Sequence, residues 1–446
     1  MKKLAFLLLL LCSFYGEAQE KYWTLRECVE YALENNITIK QSILDLELAE
    51  IDISQAKFAF LPNLNANASY NINTGANINP ATNQFENEVF KSASGGVSSG
   101  VNLFSGLQNW KNLQRSKLSE LASQYQLEKI EDDIALFVAN SFLQILFNKE
   151  QIKVLQGQNE VTVQNLERTQ QLVDAGVLPE GDLLEIRATN ATQAQQIIQA
   201  ENALFISRLG LAQLLQIKDY KNFKIADEEY DVPADDILLQ DPEVITQRAK
   251  EERFEVRIAE KNFEIAQKDL ELARTNYFPS LDGFVSYNTR WSSSQANPFT
   301  GEDFSFIEQL YLFDGTSIGV RLNVPIFNGM SVRNNVKRSK VNVERLNYQL
   351  DQVNLDLEAD VYQAYNDAKN AKKAFEAAQI TADAREQAFN YSRERYDVGL
   401  SNAFDFNQSR LQFENSQSDV IRAKYDYIFK LKVLEFYFGI PITELN

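Results

Sequence analysis

The chain states one pattern twice. Residues 56 to 71, AKFAFLPNLNANASYN, return at 273 to 288 as ARTNYFPSLDGFVSYN, so that Ala56, Pro62, Ser69, Tyr70 and Asn71 are matched by Ala273, Pro279, Ser286, Tyr287 and Asn288. The offset is 217 positions. Further on, VNLFSGLQNWKNLQRSK (101 to 117) returns as VPIFNGMSVRNNVKRSK (324 to 340), pairing Phe104 with Phe327, Gly106 with Gly329 and Asn112 with Asn335. The offset is now 223, and it holds through Gly176 and Gly399, Asp182 and Asp405, Arg187 and Arg410. The change falls between paired strands, where a loop absorbs it. A fold for this chain must therefore contain one unit twice, and each copy must use the same order of elements.

Each copy opens on a short helix, about 25 to 35 and 242 to 252, followed by a helix that runs to the Leu61-Pro62 or Phe278-Pro279 boundary, where proline disfavours helical backbone in the residue before it. Two strands come next. Asn63, Asn65, Asn67, Ser69, Asn71 and Asn73 alternate with Leu64, Ala66, Ala68, Tyr70 and Ile72, a period of two that fits only a strand lying between water and something apolar. Ala93, Gly95, Val97, Ser99, Val101 and Leu103 continue in the same manner, as do Leu281 to Trp291 and Ile318 to Ile326. The four strands are expected over about 64–74, 93–104, 281–291 and 317–327.

Long helices follow, roughly Leu107 to Val173 and Met330 to Val398, neither holding a proline. At 1.5 Å per residue each reaches about 100 Å, too long for a compact globule. Leu346, Leu350, Val353, Leu357 and Val361, then Ala364, Ala368, Ala371, Ala374, Ala378, Ala382 and Ala388, mark a stripe that packs closely on other helices. Both rods end in a glycine turn, VDAGVLPEGDLLEIR and YDVGLSNAFDFNQSR. Gly176 and Gly399 suit the left-handed position after a helix, and Asp182 with Glu185, or Asp405 with Gln408, reads as an N-cap and capping box. Return helices then run over about 182–217 and 405–438. The fold class is mixed α and membrane β, a duplicated repeat of a long helical hairpin plus two β-strands. Boundaries are a first repeat over 19–217, an equatorial linker over 218–241 and a second repeat over 242–446.

Four strands fall short of the eight in the smallest membrane barrels. Several chains must pool them; three copies give twelve, with asparagine and serine in a watery lumen and the apolar parity in lipid.

Composition narrows the function. The net charge of −18 opposes nucleic acid as a partner. The chain has no histidine, which removes the commonest general base and metal ligand. No Cys pair, phosphate loop or nucleophile motif appears, so no enzyme and no metal site is expected. MKKLAFLLLLLCSFYGEAQE at the start has two lysines, an apolar run to Leu11 and small or polar residues around Ala18. It reads as a signal peptide over 1–18, with a lipoprotein use of Cys12 disfavoured by the preceding Leu11. Cys28 is then the single remaining thiol. Trp291 and the aromatic-rich PFTGEDFSFIEQLYLF (298 to 313) form either an interfacial girdle or an external loop.

In order and duplication these elements resemble the TolC family of outer-membrane efflux channels, the exit ducts of Gram-negative tripartite pumps and type I secretion systems. The likeness covers essentially the whole chain after the leader, including both proline boundaries and the YDVGLSNAFDF turn. It implies a homotrimer in the cell outer membrane, its twelve-stranded β-barrel standing on a twelve-helix α-barrel that extends into the periplasm. It also implies transport without chemistry or cofactor, driven by an inner-membrane pump. A periplasmic adaptor would touch the hairpin tips at Gly176, Val177, Leu178, Gly399, Leu400 and Ser401. For the periplasmic gate, Asp405 matches the first aspartate of the family's mouth ring, Tyr396 a tyrosine that links to the first hairpin, and Asp182 its acidic partner there. Gln408 stands in place of a second aspartate and Ser401 in place of an arginine, which implies a weaker gate. The bland readings are that Asp182 and Asp405 are N-caps, that the glycines serve the backbone, and that Tyr396 is a packing aromatic. The alternative function is a periplasmic coiled-coil adaptor or scaffold, which leaves the four strands without purpose.

Overall fold

A computed structural model describes residues 21–78, 84–87, 89–227, 236–293, 295 and 302–440. The leader expected over 1–18 lies outside them, as do residues 298–301 of the aromatic-rich stretch. The first half runs β1 (Tyr22–Trp23), α1 (Leu25–Asn35), α2 (Ile37–Phe58), β2 (Asn63–Asn73), β3 (Ala76–Ile78), β4 (Phe85–Asn87), β5 (Phe90–Phe104), α3 (Gln108–Asp174) and α4 (Glu180–Leu214). After β6 (Lys224–Ile225) come α5 (Pro242–Glu252), α6 (Phe254–Thr275), β7 (Ser280–Ser292), α7 (Phe306–Leu312), β8 (Gly315–Asn323), α8 (Ser331–Asp397) and α9 (Ala403–Tyr437).

The compact units cut across the two sequence repeats. One unit holds the described residues up to Leu44, Tyr125–Arg257 and those from Gln352 onward; the other holds Asp45–Gln124 and Ile258–Asp351. Each contains elements of both halves.

In the helical unit the short helices start on side-chain caps. Thr24 Oγ1 accepts from Glu27 N–H at 3.2 Å while Thr24 N–H donates to Glu27 Oε2 at 3.0 Å. Asp241 likewise accepts from Glu243 N–H at 3.0 Å, with Pro242 at the first helical position. Cys28, Val29, Ala32, Val138, Phe142, Ile145, Leu211 and Ile428 form a continuous core, each large aliphatic contributing about 1.5–3 kcal/mol by leaving water. A second seam runs along α8 through Leu357, Val361, Ala364, Ala368, Ala371 and Phe375, all buried. These steps alternate four and three, the spacing of a coiled-coil seam. Beyond Ala371 the buried position is Phe375 rather than Ala374, which is exposed; keeping the seven-residue period requires that step.

The other unit is built on one antiparallel sheet, in the order β2-β5-β7-β8. Its helices end alike. α2 stops at Phe58 and α6 at Thr275, and each is followed by a tight turn, Leu61 N–H to Phe58 O at 2.9 Å and Phe278 N–H to Thr275 O at 2.9 Å. β8 ends at Asn323, because Pro325 has no N–H to extend the ladder.

Strand gives way to long helix through paired left-handed residues, Gly106 and Leu107 at φ 67° and 66°, and Gly329 and Met330 at 63° and 65°. At Gly106 a Cβ would also lie 3.0 Å from Phe278 Cβ and 3.1 Å from Thr275 O. Gly106→Ala is therefore expected to lose about 1–2 kcal/mol from backbone conformation alone, with packing strain added. Gly315→Ala, where nothing lies within 4 Å, serves as the control. A comparison of unfolding midpoints in detergent checks both.

Candidate functional site

Register fixes what each face of the sheet presents. Asn65 pairs with Ser98, Ser98 with Ser286, and Ser286 with Ser317, so one row across four strands is wholly polar. The next polar row reads Asn67, Gly96, Asn288 and Gly315. Hydrogen bonds tie this face together, Ser69 Oγ to Ser94 Oγ at 2.8 Å and Asn102 Nδ2 to Asp282 Oδ1 at 2.8 Å. Phe284 is an aromatic exception on it, as is Phe90, which pairs with Asn73. Phe284 lies between Gly100 and Gly319, and a Cβ at Gly319 would fall 2.9 Å from Phe284 Cζ. The glycine leaves room for the ring, and Arg321 lies over it at 5.6 Å.

The other face carries Leu64, Ser99, Val285 and Ile318 in one row and Ala66, Val97, Tyr287 and Thr316 in the next. Its large side chains are uncovered, with Ile318 78 % exposed and Leu64, Val320 and Leu322 nearly as open. A contiguous apolar face of this extent is not stable against water. From Leu281 to Trp291 the apolar parity extends about 34 Å along the strand. At a tilt of about 40° that projects to about 25 Å, the height of the apolar band on a membrane barrel. Aromatic side chains stand at both ends: exposed Phe60, Phe104, Phe278 and Phe327 beside the strand–helix turns, and Tyr70 and Trp291, stacked at 6.5 Å, at the other end. Among the described residues no helix is long and apolar enough to cross a membrane.

The hairpin tips belong to the helical unit. Gly176 (φ 73°) donates to Val173 O at 2.9 Å and Val177 N–H to Leu172 O at 2.8 Å; Gly399 (φ 75°) donates to Tyr396 O at 3.0 Å and Leu400 N–H to Arg395 O at 2.8 Å. Both are Schellman turns, so each glycine meets a backbone requirement. Val177 and Leu400 project into solvent, Leu400 being 70 % exposed, while Leu178 and Ser401 are half-buried. Phe404, which the sequence pattern did not single out, is equally open.

The capping expectation is corrected. Asp182 and Asp405 are not N-caps: α4 begins after Pro179, which makes no side-chain cap, and α9 begins after Asn402. Asn402 Oδ1 accepts from Asp405 N–H at 2.8 Å, and Asn402 Nδ2 donates to Asp405 Oδ2 at 3.1 Å. Both aspartates thus occupy the third helical position, where the dipole favours negative charge. Both helices begin three residues earlier than the aspartate capping pattern indicates, one after Pro179 and the other after Asn402, whose side chain is the better-placed acceptor.

Tyr396 stacks on Phe406 at 4.8 Å, and Phe406 and Phe413 flank Phe389. Burial raises the Tyr396 phenol above its ordinary pKa; Asp182 adds to the rise, Arg168 opposes it, and Asp397 adds again. A link between the two hairpins is the ion pair from Arg168 to Asp397 at 3.5 Å. Sequence spacing gave no sign of it, because its two residues lie 229 positions apart.

Deeper in the hairpin, Arg410 is only 2 % exposed, donates to Thr162 Oγ1 at 3.3 Å and lies 3.6 Å from Glu414 Oε1. Gln193 Nε2 donates to both Glu414 oxygens, at 3.3 and 3.2 Å. Among the described residues no group of His, Cys, Asp and Glu could hold a metal ion.

A sheet apolar on one face and polar on the other, with long helical hairpins, matches a known family. The model of the outer membrane efflux proteins fits residues 28–215 and 245–439, one match to each repeat. The chain belongs to the outer membrane efflux protein family. Membership places it in the outer membrane of a Gram-negative bacterium and gives it an efflux role, and the periplasmic scaffold reading falls. The outer membrane protein TolC of Vibrio cholerae is 23 % identical, the match covering 97 % of this chain and 94 % of the relative. The proteases secretion protein PrtF of Dickeya chrysanthemi is 20 % identical over 96 % and 90 % of the two chains. In fold, the outer membrane protein VceC of Vibrio cholerae superposes with a TM-score of 0.77 at 12 % identity, over 94 % of this chain and 96 % of that one.

Proposed function

We propose that three copies of this efflux-family chain close their sheets into one twelve-stranded barrel, and that their hairpins form a twelve-helix α-barrel in the periplasm. Together they make a passive exit duct. The uncovered apolar sheet face, continuous in register over four strands, carries the reading. Closing β8 against β2 of the next copy keeps every pair antiparallel and leaves no open edge. The repeats 19–217 and 242–446, joined through 218–241, are then the two halves of each protomer. Purified protein in detergent is expected to have the mass of a heat-sensitive trimer by light scattering; a monomer would sink the proposal.

An inner-membrane pump supplies the energy, and a periplasmic adaptor docks on the tips at Gly176, Val177, Leu178, Gly399, Leu400 and Ser401. Exposure of Val177, Leu400 and Phe404 favours an apolar contact there. Asp405, Tyr396 and Asp182 form the periplasmic gate, and Arg168 with Asp397 supplies the interhairpin charge link that Ser401 cannot. Asp405→Ala together with Tyr396→Phe is expected to raise single-channel conductance in planar bilayers, and Arg168→Ala to raise it further. Unchanged conductance in both variants retires the gate and leaves the duct standing.

A further inference from the structure

α7 is built inside out for a helix in water. Of its seven residues, Phe306-Ile307-Glu308-Gln309-Leu310-Tyr311-Leu312, the buried one is polar: Gln309 is 1 % exposed. Phe306, Ile307, Tyr311 and Leu312 are open, Tyr311 at 79 %. Water would favour the reverse arrangement.

The anchoring of α7 shows that this inversion is specified. Gln309 Oε1 accepts from Ser292 N–H at 2.8 Å, and its Nε2 donates to Ser292 O and to Phe304 O, each at 3.0 Å. The side-chain amide thus pairs with both backbone groups of the last residue of β7, where β8 no longer reaches, since their ladder ends at Asn288 and Gly315. Thr289 Oγ1 donates to Leu310 O at 2.6 Å, and Ser305 with Glu308 closes a capping box. The helix is thereby clamped to the sheet edge with its apolar residues turned outward. That outward surface continues the apolar sheet face: the Phe306 ring lies 5.6 Å from Trp291, which stacks on Tyr70. Both belong to the apolar parity. The position is the end of the sheet away from the turns at Gly106 and Gly329.

We propose that α7 is an interfacial anchor, lying at the headgroup–acyl boundary of the outer leaflet with Phe306, Ile307, Tyr311 and Leu312 among the lipids. Tyrosine and tryptophan suit that depth, having an apolar body and a polar edge. This rests on the duct reading, because only a lipid-covered sheet face makes its continuation a lipid surface.

Spin labels on the full-length protein in phosphatidylethanolamine–phosphatidylglycerol vesicles test it. Labels are attached through Tyr311→Cys, Ile318→Cys and Leu400→Cys in turn, with Cys28→Ser as background, and collision rates with oxygen and with a water-soluble nickel chelate are compared. The Tyr311 site is expected to give an oxygen-to-nickel ratio between the lipid value at Ile318 and the water value at Leu400. A ratio equal to that at Leu400 places α7 in water and overturns the inference. Low collision with both reagents places it against a neighbouring subunit and also overturns it. If the Ile318 site itself reads as water, the duct proposal fails first.

Discussion

Val285→Arg is expected to cost about 2–4 kcal/mol per subunit of membrane stability, and Ser286→Arg, one residue on, close to nothing. The two residues sit near the middle of the apolar span from Leu281 to Trp291, on opposite faces of β7. Val285 pairs with Ser99 and Ile318, and Ser286 with Ser98 and Ser317. In the proposed trimeric barrel, a guanidinium at Val285 would enter hydrocarbon, whereas at Ser286 it would enter water and add three charges to the lumen. The first variant should therefore show little assembled, protease-protected trimer in the outer membrane. The second should assemble normally and shift ion selectivity toward anions. Equal losses in both would mean that the sheet has no lipid face.

The second large effect concerns Arg410 and Glu414. Removing one member of a buried ion pair leaves its partner charged without compensation, at a cost of about 3–5 kcal/mol. Arg410→Ala should accordingly loosen the first turns of α9, read as faster amide exchange over residues 403–414. Arg187 is the equivalent residue of the first repeat, yet it is exposed and donates to Gln170 Oε1 at 2.7 Å; Arg187→Ala should change little, within about 0.5 kcal/mol. Replacing both partners, as Arg410→Met with Glu414→Leu, should restore protection, because such a pair is often no better than a well-packed apolar one. Burial raises the Glu414 pKa, against the opposing effects of Arg410 and Gln193. Only between the ordinary carboxylate pKa and the raised one does the folded hairpin hold a proton that the unfolded chain has released. Its stability falls as pH rises from the ordinary carboxylate pKa through the raised one.

Legibility in the sequence followed the range of the interaction. Alternation from Asn63 to Asn73 is local, and β2 spans those residues. The glycine turns are also local, since φ near +73° excludes most side chains at Gly176. Contacts between distant residues left no such mark. Nothing near Arg168 announces Asp397, and the repeat equates Arg187 with Arg410 although only one is buried. The Gln309 clamp was hidden for a different reason: its partner is the backbone of Ser292, which has no residue identity to read. At the helix starts, local pattern misled, because Asp182 and Asp405 fit a capping motif that Pro179 and Asn402 pre-empt.

The central seam of the sheet has a consequence for biogenesis. β5 finds its second neighbour in β7, joining Ser92 to Ser292 and Ala93 to Trp291, so the first strand pair must wait for a segment made long after it. Until then β5 offers unpaired amides and carbonyls along its open side, a template for mispairing. Ordering of the sheet is accordingly a late and slow event, and the nascent half-molecule is the species most in need of a holding chaperone during export.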